Sequence, residues 1–138
     1  MSNAIQNLPV TWDSGSHSVG TVKDAVAVIR EGAFVIRRTS DGKYDHGGDV
    51  ANAVFAGVAL EEGEANQNLR VRCIGVFGPY AYVPGDADES LIGTSLTLVD
   101  DQSVDLAGAT ANDVVCGACF AVDSASQVRV KIEPAAKG

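Results

Sequence analysis

One stretch of this chain occurs twice, sixty residues apart, and it constrains the fold more than any other feature. The copies run over residues 51–72 and 111–131. At this offset five residues are identical: Ala51, Asn52, Val54, Gly57 and Gln67 match Ala111, Asn112, Val114, Gly117 and Gln127. Two copies are too few for a solenoid, because each repeat of a solenoid is covered by further neighbours. The duplication predicts two equivalent halves of one small closed sheet. The glycines at 57 and 117 are predicted to mark bulges or close backbone approaches.

The rest of the pattern is that of short strands separated by turns. β-Branched and aromatic runs predict strands at 33–38, 53–60, 69–77, 95–99, 114–122 and 127–133, with a short edge at Val104 and Leu106. Residues 44–49 are expected to form a glycine-rich loop. Residues 21–30 fit a helical face as well as a strand, and their β-branched side chains favour the strand.

These elements predict an all-β protein, a small β-barrel or sandwich of two pseudo-repeated halves with an irregular N-terminal arm. The arm is expected to cover residues 1–20. A single β domain is expected over residues 21–138, with pseudo-repeats at about 32–77 and 93–133. A chain of 138 residues buries roughly two thirds of its unfolded surface, which is enough for a real core.

Charge argues against two classes of partner. The formal net charge is −8 and the pI is about 4.5. Basic residues nowhere cluster beyond Arg37 and Arg38, so neither nucleic acid nor an anionic membrane is an expected partner. The acidity serves solubility, or it forms a face that docks on a basic partner. No apolar run approaches the roughly 20 residues of a membrane span, and the N-terminus lacks a signal-peptide pattern, so we expect synthesis inside the cell.

Cys116 and Cys119 have the spacing of a C-x-x-C motif, and Cys73 is the third cysteine. A zinc site would want a second such pair, and a redox pair would open a helix after a strand. The sequence around this motif is that of a strand, so we expect buried structural thiols on opposite faces of it. Metal binding or thiol redox chemistry remains the alternative.

Other catalytic patterns are absent from the sequence. It contains neither a G-x-S-x-G elbow nor a phosphate-binding G-x-x-x-x-G-K loop. The acidic groups at 61–64 and 86–89 are expected to be solvated turns, with weak calcium binding as the alternative. No catalytic, cofactor-binding or metal-ligating residue is therefore assigned, and no cofactor is expected.

Large apolar side chains in the arm are the candidate partner-binding residues. They are Ile5, Leu8, Val10 and Trp12. Trp12 is the only tryptophan, and an aromatic residue in a polar arm often anchors in a pocket. The alternative is that Trp12 caps the open end of the barrel.

The segment from about Gly32 to Ile132 resembles the head decoration, or cement, proteins of tailed phages. The resemblance lies in an Asp-Gly turn after a strand, the strand Ala56-Gly57-Val58-Ala59, a short acidic loop, a V-x-V-x-G-V strand over residues 69–76, and the late strand Val128-Arg129-Val130-Lys131-Ile132. Trp12 in its long arm and the Cys116–Cys119 strand depart from the family pattern. The resemblance implies a β-barrel without catalytic residues that binds the outside of the capsid and stabilises the shell.

The partners expected on this basis are the major capsid protein and further copies of the chain, with a trimer favoured. Such a protein is made in the host cytoplasm and located on the exterior of the virion. Two alternatives remain open: a β-barrel interaction module of another phage or bacterial assembly, and a thiol redox module using Cys116 and Cys119.

Overall fold

The computed structural model describes residues 17–24 and 26–132. These residues form ten β-strands, a short 3-10 turn at Glu89–Leu91 and no α-helix. The strands in chain order are β1 (His17–Thr21), β2 (Phe34–Arg38), β3 (Tyr44–His46), β4 (Ala53–Ala59), β5 (Asn68–Arg72), β6 (Gly75–Tyr82), β7 (Ser95–Leu98), β8 (Ser103–Leu106), β9 (Val115–Ser124) and β10 (Gln127–Ile132). The expected all-β fold is confirmed.

The second half of the chain is a closed five-stranded barrel with the strand order β10-β6-β8-β7-β9. β6 pairs with β10 in antiparallel orientation and with β8 in parallel orientation. The alternation of β10 explains how a strand fits such a barrel. Its valines and its isoleucine are buried, while the glutamine, arginine and lysine between them are exposed.

The first half repeats this topology strand for strand. Its order β1-β5-β4-β2-β3 corresponds to β6-β10-β9-β7-β8 of the second half. In the first half, a single parallel bridge joins Val22 and Tyr44. It is equivalent to the parallel pairing of Tyr82 with Val104, which closes the barrel of the second half. β4 and β9 therefore occupy equivalent places, as the duplication predicted.

A β-bulge lies at the same position in each half. The register of β2 and β4 shifts between Val35 and Ile36, which leaves Ala56 as the extra residue. The register of β7 and β9 shifts at the equivalent place and leaves Cys116 as the extra residue. The two halves therefore share a β-bulge at the same position as well as their strand order.

Gly57 and Gly117 directly follow these extra residues, at positions where a side chain has no room. Their φ angles are 149° and 156°. A Cβ on Gly57 would lie 2.5 Å from the carbonyl oxygen of Arg72, and one on Gly117 would overlap the carbonyl oxygen of Lys131. The predicted bulges with close backbone approach are confirmed at both glycines.

The two halves share part of their core. One cluster of buried side chains fills the first half: Val22, Ile29, Val35, Tyr44, Ala59, Leu69 and Val71. The other cluster fills the closed barrel of the second half and includes Phe34, Ile36 and Val58 from the first half. The rings of Phe34 and Tyr80 stack with centroids 4.0 Å apart, and the Tyr80 hydroxyl donates a hydrogen bond of 2.8 Å to the carbonyl oxygen of Gly32.

Asp49 adds a polar connection between the halves. Its carboxylate accepts hydrogen bonds from the backbone N–H groups of Ala111 and Asn112, at 3.1 and 2.7 Å. The side-chain amide of Asn112 donates to the backbone oxygen of Asp49 at 3.2 Å. Two of the repeated residues therefore hold the start of the second copy against the first half.

The boundaries of the arm and of the repeats differ from those expected. β1 begins at His17, inside the stretch 1–20 that was assigned to the arm, because residues 17–21 pair with β5. Residues 75–77, which were assigned to the first repeat, begin β6 and pair with β10. The sheets thus define the halves as residues 17–72 and 75–132.

Three segments of secondary structure also differ. The predicted strand at 69–77 is two strands, β5 and β6, and β6 continues through Gly78 and Pro79. Tyr44–His46, expected in a loop, is the edge strand β3 paired with β2. Within residues 21–30, Thr21 ends β1, and Val22 and Ile29 make isolated bridges, so the described part of this segment forms no continuous strand or helix.

Candidate functional site

Arginines pair with two of the three carboxylates of the acidic loop at 61–64. A side-chain nitrogen of Arg70 donates to Glu61 at 3.2 Å and its backbone N–H donates at 3.1 Å. These two hydrogen bonds hold the pKa of Glu61 below its usual value. Arg30 pairs with Glu62 at 3.0 Å. The loop is an exposed ion-paired turn, as expected.

The second acidic group, at 86–89, caps the 3-10 turn. Asp88 accepts hydrogen bonds from the hydroxyl and the backbone N–H of Ser90, and these lower the pKa of its carboxyl. Within residues 17–24 and 26–132, no three His, Cys, Asp or Glu side chains are grouped so that they could hold a metal ion.

Cys116 and Cys119 lie in the same cluster of buried side chains and are 3% and 2% exposed. Their expected burial is confirmed, but their expected placement on opposite faces is wrong. The bulge at Cys116 breaks the alternation between them. Burial raises the pKa of Cys116 to about 12 and also raises that of Cys119. Reactive thiols have lowered pKa values, so this environment works against nucleophilic chemistry.

The histidines take part in structural contacts. The Nε2–H group of His46 donates a hydrogen bond of 2.9 Å to the carbonyl oxygen of Ala27. Its Nδ1 lies 3.5 Å from the carboxylate of Asp101. His17 begins β1, next to Ser18, whose hydroxyl shares a hydrogen bond of 2.9 Å with the Tyr44 hydroxyl.

A groove of about 1020 Å³ lies on the described surface. Its walls come from the start of β4 and the start of β9, the two repeated strands. Val54 and Val115 line it and are 51% and 46% exposed. Phe55, Ala56 and Cys73 add further apolar surface. Exposed apolar side chains that line one groove are typical of an interaction site.

The rim of the groove carries basic groups and the beginning of the described chain. Arg37 and Lys131 line it, with Asp113 as an acidic neighbour. His17 and Ser18 lie on the same rim, so the N-terminal segment enters the fold beside the groove. The candidate partner-binding residues Ile5, Leu8, Val10 and Trp12 belong to this segment and lie outside the described residues.

Sequence reasoning did not find this groove. It forms where β4 and β9 lie against each other, and no local pattern reports a contact between strands sixty residues apart. The usable signal was the repeat itself, because Val54 and Val114 match across it and both line the groove.

Comparisons with protein-family models, with curated proteins and with solved structures give no match. A helix long and apolar enough to span a membrane is not found within residues 17–24 and 26–132.

Proposed function

We propose that this protein is a capsid decoration protein that binds the outer surface of a tailed-phage head and stabilises the shell. Its partner is the major capsid protein. It acts as a homo-oligomer, with a trimer favoured, after synthesis in the host cytoplasm. It uses no cofactor and catalyses no reaction.

The observation that carries this proposal is the joining of a five-stranded sheet and a closed barrel of equivalent topology through a shared core, beside an exposed apolar groove. Phe34, Tyr80 and the Asp49 hydrogen bonds join the halves, so a load on one half is transmitted to the other. A shell under internal pressure is stabilised by a stiff block that spans neighbouring subunits. The resemblance of residues 32–132 to cement proteins supports the same function.

Attachment is proposed to use the N-terminal arm. Ordering a chain segment costs roughly 1 kcal/mol or more per residue, so an arm binds only through strong anchors. Trp12 is suited to this role, because a buried interface tryptophan contributes a few kcal/mol. Ile5, Leu8 and Val10 extend the same apolar contact.

Capsid co-sedimentation across a protein titration tests the attachment. Deletion of residues 1–12, or Trp12→Ala, is expected to weaken binding at least about tenfold, which equals about 1.4 kcal/mol. Circular dichroism serves as the folding control, and Val83→Ala is a matched surface variant because Val83 is exposed and lies outside the groove. Unchanged binding by the truncated protein would place the docking on a barrel face, such as the acidic loops at 61–64 and 86–89.

The exposed groove also favours a second candidate, a β-barrel interaction module of another phage or bacterial assembly. It predicts no co-sedimentation with empty or filled capsids at any protein concentration. Imaging of particles purified from infected cells separates the two candidates, because a decoration protein covers the head whereas a module of another assembly does not.

A further inference from the structure

We propose that the groove between β4 and β9 binds residues 8–12 of the same chain in the free protein, as an added strand on the open edge of β4. This inference concerns the protein without a capsid and does not depend on the proposed function.

The groove contains an open strand edge as well as apolar side chains. β5 pairs with β4 only at Val58 and Ala59, so in the described structure β4 runs on alone from Ala53 to Gly57 along that edge. The carbonyl oxygen of Ala56 accepts there a contact of 3.5 Å from the Cys73 thiol, a weak donor. A strand edge of this kind binds extended segments through backbone hydrogen bonds.

The N-terminal segment has the matching pattern. Leu8, Val10 and Trp12 alternate with Pro9 and Thr11, so an extended chain presents the three large apolar side chains on one face. That face suits the apolar wall formed by Val54 and Val115. In the register in which the backbone of Leu8, Val10 and Trp12 bonds to β4, the N–H position of Pro9 points away, so its missing donor costs no hydrogen bond of the added strand.

The length of the connection favours the same chain over a second copy. His17 lies on the rim of the groove, and Trp12 precedes it by five positions, a span of at most about 18 Å. The intervening residues 13–16 include Gly15 and are polar, which permits the chain to turn back. A segment tethered this closely has an effective concentration in the millimolar range, far above that of a second copy in dilute solution.

Fluorescence of the only tryptophan tests the occupancy of the groove. The emission of Trp12 in the wild-type protein is expected to be that of a shielded indole. Val54→Asp places a charge on the apolar wall, and we expect a red shift of the emission and loss of protection from a soluble quencher. Val83→Asp is the matched control, since Val83 is 54% exposed, close to the 51% of Val54, and lies outside the groove. A wild-type emission typical of solvent-exposed indole, or one unchanged by Val54→Asp, would overturn the proposal.

Disulfide trapping distinguishes the same chain from a second copy. Cys73 lines the groove and is half-buried, so Trp12→Cys is expected to form a disulfide with it under oxidised glutathione. The product expected is a monomer in which mass spectrometry finds residue 12 linked to residue 73. Cys73→Ser in the same background removes this product. A cross-linked dimer in its place would show that a second copy supplies the strand. Asp13→Cys keeps all three apolar side chains, and failure of both variants to link to Cys73 would refute docking in this groove. Neither readout involves capsids, so the result stands apart from the co-sedimentation assay.

Discussion

The two glycines that follow the bulges have little freedom to change. The backbone of each passes so close to a carbonyl oxygen of the neighbouring strand that a single methyl group cannot be placed there. Other glycines, such as Gly85 and Gly108, have positive φ angles but open surroundings. Substitutions of different glycines can therefore measure two costs separately: that of a side chain at a positive φ angle, and that of a steric overlap.

Gly117→Ala is expected to destabilise the protein by about 2 kcal/mol or more, because it adds an overlap with the Lys131 carbonyl oxygen to the cost of the backbone angle. Gly85→Ala is the control for a positive φ angle without steric overlap, since the φ of Gly85 is 76° and its surroundings are open, and about 1 kcal/mol is expected for it. Urea denaturation measures both. Equal losses would mean that β10 moves away from β9 and relieves the overlap.

The buried thiol of Cys116 makes the free energy of unfolding decrease as the pH rises into the alkaline range. Its pKa is about 12 in the folded protein against an ordinary value of 9.0, so between these values the unfolded chain loses a proton that the folded chain keeps. Stability is thus retained below about pH 9 and decreases above it, by up to about 1.4 kcal/mol per pH unit. The raised pKa values of Cys119 and Tyr80, both due to burial, act in the same direction.

Chemical denaturation between pH 8 and pH 11 measures this dependence. Cys116→Ala is expected to flatten the alkaline decrease. Val114→Ala removes buried volume next to the same bulge without removing a titrating group, so it should lower stability by a similar amount at each pH. An unchanged slope in Cys116→Ala would show that this thiol does not titrate on unfolding.

At the scale of elements, strands were predicted correctly where buried and exposed side chains alternate regularly. The prediction was wrong where a turn contains no typical turn residue. β10 alternates at every position, and β7 and β9 were found within two residues of their ends. β5 and β6 were merged because the β-branched run from 69 to 77 contains no strong turn signal at Cys73 and Ile74. β3 was missed because three residues beside Gly47 and Gly48 are too few to show a period.

β2 is the element that joins the halves, since Phe34 belongs to the core of the second barrel while Val35 belongs to that of the first. Phe34→Ala is expected to cost about 3–5 kcal/mol. Tyr80→Phe keeps the stacked ring and removes only the hydrogen bond to Gly32, so about 1 kcal/mol is expected. Both variants should unfold in one transition. Separate transitions, with only one of them shifted by Phe34→Ala, would mean that the two halves unfold independently.

At the scale of the whole molecule, the open edge of the first sheet indicates where two copies of the protein could pair. In the described structure β1 ends the first sheet, with β5 on one side, and its Val19 is 54% exposed. The Val22–Tyr44 bridge closes only one end of this edge. Open edges of soluble β-proteins are generally covered, and symmetric assembly is a common way to cover them.

Under the proposed function, we expect a homo-oligomer on the capsid, with a trimer favoured, that covers this edge. Light scattering of the free protein and imaging of decorated particles check it. Val19→Lys places a charge on the open edge and is expected to weaken the assembly while circular dichroism stays unchanged. Isolated single copies on the particle would contradict the expectation.

The bulges also determine which changes in chain length the protein tolerates. Deletion of the extra residue Ala56 would leave Gly57 opposite Val35 and Phe55 opposite Ile36, so β4 would lose its bulge but keep its faces. Deletion of the paired residue Phe55 would instead move Val54 to the position opposite Ile36, and its exposed side chain would turn to the opposite face of the sheet. A deletion in the exposed turn at 84–86 alters mainly the closure of a loop, which costs little. Deletions between related chains should therefore collect in the turns, and within β4 and β9 a loss of one residue is expected to fit only at Ala56 and Cys116.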